Sequence, residues 1–226
     1  MIKAIIFDFD GVIFDSEPLH FEACYIVFKK YGITLDYDEY FAHYVGLSDK
    51  EIFPKVLSTH QMPLQQDEIN QLIEMKIDTY YEIVNTKNDL HPIDGIHEFL
   101  AMTHQHHLKI AICSGSKRKE IDIALLKLSN GSLKKYFQII VTIDNLSQGK
   151  PSPEGYLYTA KQLNIHPKNC LAIEDSPHGI KAAKAANMEV IALLTTSSVD
   201  KLSQADKIVK DFYHLNLSSY LRDYAV

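Results

Sequence analysis

The sequence predicts an α/β fold: a Rossmann-like parallel sheet core carrying an inserted four-helix cap. Three observations predict it. Short β-branched runs recur along the chain, helix-period segments separate the later runs, and between residues 17 and 89 the strand-like runs stop while amphipathic segments follow one another. At 226 residues the chain suits one sizeable core with a large insertion. The expected division is a core from 1–16 and 90–226 and a cap from 17–89.

The first strand is "IKAIIF", which runs directly into Asp8 and Asp10. Four helices follow, within "PLHFEACYIVFKKYG", "YDEYFAHYVG", "SDKEIFPKVLS" and "QQDEINQLIEMKIDTYYEIV", with Gly32, Gly46 and Pro63 as punctuation. "IDGIHEFLAMTHQ" returns the chain to the core. From there "LKIAIC", "QIIVT", "NCLAIE", "EVIALL" and "KIV" read as strands, and "KRKEIDIALLKL" and "SPEGYLYTAKQL" as helices between them. Internal repeats and low-complexity stretches are absent from the sequence.

Composition narrows the function. Apolar residues are 46% and charged residues 23%, values of a folded globular chain, and the net charge of -6 argues against a nucleic acid or an anionic membrane as partner. The three cysteines Cys24, Cys113 and Cys170 are scattered and odd in number, which suits a reducing compartment. With the first apolar run cut at Asp8, no signal peptide or membrane span is expected, and the cytoplasm is the expected location. The expected partner is a small molecule, and the expected state a monomer.

The strand ends carry the chemistry. Residues i and i+2 of a strand share a face, so Asp8 and Asp10 leave the first strand together while Phe7 and Phe9 turn into the core, and Gly11 lets the backbone bend. Ligands of open parallel sheets bind just beyond the carboxyl ends of the strands. "IAIC" ends at Ser114, "LAIE" runs into Glu174 and Asp175, and Lys150 sits in the Gly-Lys-Pro turn of "TIDNLSQGKPSPE". Alone, each is ordinary: an acidic turn, a capping serine, a solvated lysine. Together along one sheet edge they bring four carboxylates against one ammonium, an excess that a hard divalent cation such as Mg2+ would relieve.

The segments "DFDGVIFDSEPLH", "CSGS", "GKPSPE" and "IEDSPHGI" closely resemble, in order, the four motifs of the haloacid dehalogenase superfamily, in its branch of helical-cap phosphatases and β-phosphoglucomutases. The resemblance covers essentially the whole chain. It implies Asp8 as the nucleophile that forms an aspartyl-phosphate, Asp10 as general acid and base, and Ser114 and Lys150 as holders of the transferring phosphoryl group. It also implies Mg2+ held by Asp8, the main-chain carbonyl of Asp10, and Asp175, with Glu174 close by. The second aspartate, Asp10, favours a phosphate ester over a halide, because an alkoxide leaving group needs a proton and a halide does not.

In such proteins the cap selects the substrate. Lys76 and Tyr80 lie four apart on one helix face, and Lys76 fits either the cap lysine of the mutase pattern or a solvated lysine. His20 fits a cap-hinge histidine or an ordinary helix histidine. Ser116, Lys117 and Arg118 follow the second motif and are candidates to meet a further anionic group, or simply begin a helix. Where the mutase pattern has an Arg in the cap loop, this chain has Asp49 in "VGLSDKEIF". A carboxylate there would repel a second phosphate, so hydrolysis of a small phosphomonoester such as a sugar phosphate is expected ahead of mutase chemistry. A non-catalytic, phosphate-responsive binding protein is the third reading, since receiver domains also place an Asp pair and a Lys at strand ends. "HQHH", residues 104–107, reads as a surface loop, and "GKPS" lacks the spacing of a P-loop.

Overall fold

The computed structural model describes residues 1–220 of the chain; residues 221–226, the end of the expected second core segment, lie outside the described residues. Among the described residues the strands are β1 (Ala4–Phe7), β2 (Lys109–Cys113), β3 (Ile139–Val141), β4 (Cys170–Glu174), β5 (Glu189–Leu193) and β6 (Lys207–Val209). They form one sheet of order β3-β2-β1-β4-β5-β6 in which every pairing is parallel. This is the doubly wound, Rossmann-like order, and its direction reverses between β1 and β4.

Alternation along the strands divides the core. Ile5, Phe7, Ile110, Ile112, Leu171, Ile173, Ile191 and Leu193 pack on one face. On the opposite face small residues predominate, Ala4, Ala111, Cys113, Cys170, Ala172 and Ala192, with Ile6 and Val190 among them. Their size lets helices α7 (Glu154–Leu163) and α8 (Pro177–Ala185) lie close to the sheet. The three cysteines are buried and free, which fits small apolar packing groups. Helix α8 is an element that the sequence reading left inside a motif. Pro177 opens it and the Ser176 hydroxyl accepts the Gly179 N–H at 3.0 Å.

After β1 the chain forms α1 (Glu17–Lys29), α2 (Tyr37–His43), α3 (Asp49–Thr59) and α4 (Gln66–Thr86), then α5 (Ile96–Gln105). Phe28, Tyr40, Phe53, Val56, Leu72 and Ile77 belong to an apolar cluster confined to α1–α4 and their loops. The same helices α1 and α4 send Leu19, Ala23, Tyr80 and Val84 into the cluster of the sheet. Helix α4 also packs on α6 (Arg118–Lys127), so the helical segment rests on the edge where β1 and β2 end. His104, in the last turn of α5, and His106 and His107 after it are exposed at the opposite end of β2. No helix among the described residues is long and apolar enough to cross a membrane.

Candidate active site

Asp8 and Asp10 follow β1 directly, and the chain must turn at once to reach α1. Gly11 makes that turn at φ +74°, and a Cβ on it would lie 1.9 Å from the Asp175 carboxylate. Glu174 ends β4, the neighbour of β1, and Asp175 follows it. The switch point of the sheet therefore brings acids from distant parts of the chain together: Asp8, Glu174 and Asp175 each offer an oxygen within 4.8 Å of the others.

Lys150 reaches into this cluster. Its Nζ lies 2.6 Å from Asp8 Oδ1 and 2.6 Å from Glu174 Oε1. Glu174 is fully buried and also accepts from the Tyr156 hydroxyl at 2.5 Å and the Ser176 hydroxyl at 3.3 Å. Gly179 makes room for it, since a Cβ there would stand 2.0 Å from its carboxylate. Burial pushes the Asp8 carboxyl up to about 8, with Lys150 opposing and Glu174 and Asp10 adding. Burial, Asp8 and Glu174 likewise hold Asp175 well above the usual carboxylate range. Against the burial that disfavours its charge, Asp8 and Glu174 keep Lys150 above the usual lysine range.

One ammonium among these acids leaves an excess of negative charge. The donors are all oxygens, crowded and dry, and this fits a hard divalent cation such as Mg2+. Asp8, Glu174 and Asp175 are the group whose oxygens could hold such an ion. The Asp10 side chain stands apart from that cluster; the ligand expected from Asp10 is its carbonyl.

The Asp10 carboxylate occupies a socket of hydroxyls. Ser16 donates to Oδ1 at 2.5 Å, Ser116 to Oδ2 at 2.6 Å and Ser114 to Oδ2 at 3.2 Å, while His20 Nε2 lies 3.2 Å from Oδ1. Burial works against the charge, yet the bonds from His20, Ser116 and Ser16 hold Asp10 below the usual carboxylate range. Lys76 Nζ donates to His20 Nδ1 at 2.8 Å, which makes Nε2 the protonated nitrogen, the one facing Asp10. The His20 ring stacks on Tyr80 with centroids 4.2 Å apart.

Asp8, Asp10, His20, Lys76, Ser116, Lys117, Lys150 and Asp175 line one cleft between α1–α4 and the sheet edge. Three residues expected on the substrate side turn out to be partnered within the protein, Lys76 of the expected cap and Lys117 and Arg118 after β2. Lys76 is 2% exposed and bonded to protein groups, so the solvated alternative for it is excluded. Lys117 lies 2.9 Å from Asp144, and Arg118 pairs with Asp122 at 2.8 Å on an exposed surface. The sequence reading missed Glu17, Glu120, Asp144 and Tyr156. Glu17 follows Ser16 directly and could have been flagged as an acid entering an apolar helix. Glu120 and Tyr156 each sit in the first turn of an amphipathic helix, where an acid or a tyrosine is ordinary and gives no hint of the site.

A family model described as haloacid dehalogenase-like hydrolase matches residues 5–193. A phosphorylated carbohydrates phosphatase of Thermotoga maritima is 31% identical, covering 84% of this chain and 84% of the relative. A validoxylamine A 7'-phosphate phosphatase of Streptomyces hygroscopicus subsp. limoneus is 29% identical over 93% of this chain and 94% of the relative. The crystal structure of a β-phosphoglucomutase from Clostridium difficile superposes with a TM-score of 0.84 at 29% identity, covering 98% of this chain and 96% of that one.

Proposed function

The chain belongs to the haloacid dehalogenase-like hydrolase family, and from that premise we propose that it is a Mg2+-dependent phosphatase of a small phosphomonoester, a sugar phosphate or similar metabolite. The observation that carries the reading is the meeting of Asp8, Lys150, Glu174 and Asp175 at the switch point of the sheet, with Asp10 in its own socket beside them. The relatives named for phosphorylated carbohydrates and for validoxylamine A 7'-phosphate support the substrate class.

Asp8 attacks phosphorus in line with the ester oxygen and becomes an aspartyl-phosphate, so one difficult hydrolysis is split into two displacements. Lys150 stays against Asp8 and offsets the charge that gathers on the phosphoryl oxygens. Asp10 gives a proton to the leaving oxygen in the first displacement and takes one from water in the second. Its low pKa keeps it ionised and able to accept a proton in the second step, and a substrate phosphate nearby adds negative charge that raises its proton affinity in both. Ser114 joins Lys150 in holding the transferring phosphoryl oxygens, and with Ser116 it keeps Asp10 in position. Bound Mg2+ would neutralise the acids around Asp8 and polarise the phosphoryl group. The 17–89 helices act in this reading as a cap that closes the cleft and selects the leaving group.

Turnover of p-nitrophenyl phosphate with added Mg2+ tests the proposal. Asp8→Asn should lower kcat on the order of 10^3-fold or more; a variant that keeps its activity removes Asp8 as nucleophile. Likeness to the β-phosphoglucomutase structure supports a second reading, transfer of phosphate within a sugar. Isomerisation of a sugar phosphate that requires a bisphosphate primer would establish it in place of hydrolysis.

A further inference from the structure

We propose that Lys76, Asp49, Glu120 and Glu17 form a carboxylate-rich wall that selects phosphomonoesters whose remainder is uncharged and hydroxyl-bearing, and turns away a second phosphate. The inference deepens the phosphatase reading and rests on it.

An ammonium has three N–H donors. Lys76 has committed all three: to His20 Nδ1 at 2.8 Å, to Asp49 Oδ2 at 3.0 Å and to Glu120 Oε1 at 2.9 Å. It is 2% exposed, so no water competes and no donor remains for a phosphate oxygen. Its two carboxylates outnumber it, and the set carries net negative charge. Burial raises Asp49 while Lys76 opposes, and against its own burial Glu120 is kept below the usual range by Lys76 and by the Lys117 N–H it accepts.

Asp49, Glu120, Lys76 and Glu17 all line the cleft that holds Asp8 and Lys150. The other cations there do not restore a positive field. Lys117 is bound to Asp144 at 2.9 Å, and Lys50 stands exposed, where solvent screens it. A distal phosphate brought against this wall would meet carboxylates and find no free donor on Lys76, a penalty against a second anion. A hydroxyl has the opposite prospect. Carboxylates accept several bonds each; Asp49 bonds Lys76 through Oδ2, and the side-chain partner of Glu17 is the Tyr40 hydroxyl at a long 3.5 Å. Asp49 and Glu17 are thus specificity-determining residues for the group that leaves.

Competition against p-nitrophenyl phosphate turnover tests this with matched probes: sugar monophosphates, glucose 6-phosphate among them, and their bisphosphates such as glucose 1,6-bisphosphate. At least one monophosphate should bind about tenfold or more tightly than its bisphosphate. Asp49→Asn should narrow that ratio by about tenfold, and Asp49→Glu should restore it. Bisphosphates that bind as well as monophosphates, no monophosphate that binds, or a ratio untouched in a folded Asp49→Asn protein would each overturn the proposal. If Asp49→Asn does not fold, the wild-type ratio decides. Failure to turn over p-nitrophenyl phosphate is a separate result that strikes the phosphatase reading itself; the ratio is then read by calorimetry on the same probes.

Discussion

At the scale of single residues, Asp10 and Glu17 show how one environment type can move two acids in opposite directions. Glu17 is buried and Asp10 half-buried, but Asp10 accepts from three hydroxyls and faces His20, while the side-chain partner of Glu17 is one distant hydroxyl, and burial pushes its carboxyl up to about 7. Asp10→Asn should slow alkyl phosphates by about 10^2–10^4-fold and p-nitrophenyl phosphate far less, because a phenolate leaves without a proton. Equal losses across leaving groups would remove its acid role. For Glu17 the folded pKa lies above the unfolded 4.5, so the folded chain holds the proton more tightly. Stability from this group is therefore fully present below pH 4.5 and is lost as pH rises toward 7, by about 3 kcal/mol in all. Urea unfolding of Glu17→Gln should be less sensitive to pH between 5 and 8 than the wild type, and a parallel dependence would contradict the assignment.

At the scale of elements, two local devices aim the site. The first turn of α3 presents Asp49, and that turn is held by Glu51, whose carboxylate accepts the Ser48 N–H at 3.0 Å and the Ser48 hydroxyl at 2.8 Å. Glu51→Ala should cost about 1 kcal/mol and weaken sugar-phosphate binding more than p-nitrophenyl phosphate binding; melting curves and KM for both compounds check it. The second device is Gly179 in α8, the vacancy into which Glu174 fits. Glu174 is tied to Lys150 and Tyr156 and cannot swing aside, so Gly179→Ala should destabilise by about 1–3 kcal/mol and depress kcat. An unchanged kcat would mean that Glu174 is not needed where it lies. The strands are the elements most legible in sequence, since β-branched runs buried on both faces have few alternatives. Helix α8 was harder, because nine residues rich in Ala between two strands give a weak period.

At the scale of the whole molecule, binding of a cation that only the folded chain can assemble should stabilise it. Mg2+ titration should raise the melting temperature of the wild type and leave Asp175→Asn unmoved; equal responses would place the ion elsewhere. The sequence by itself determined the sheet, the helical insertion after β1, and the strand-end positions of Asp8, Ser114 and Glu174, because these follow from short-range periodicity and from the rule that parallel strands share one carboxyl edge. Only the tertiary structure decided what those side chains face. Lys76 meets His20 from 56 positions away and Glu120 from 44, and Lys150 meets Asp8 across 142. Such pairings depend on how α4 lies across α6 and how the 150 turn folds back on β1. A buried ammonium and a solvated one look alike in sequence, since burial is a property of packing and has no local signature.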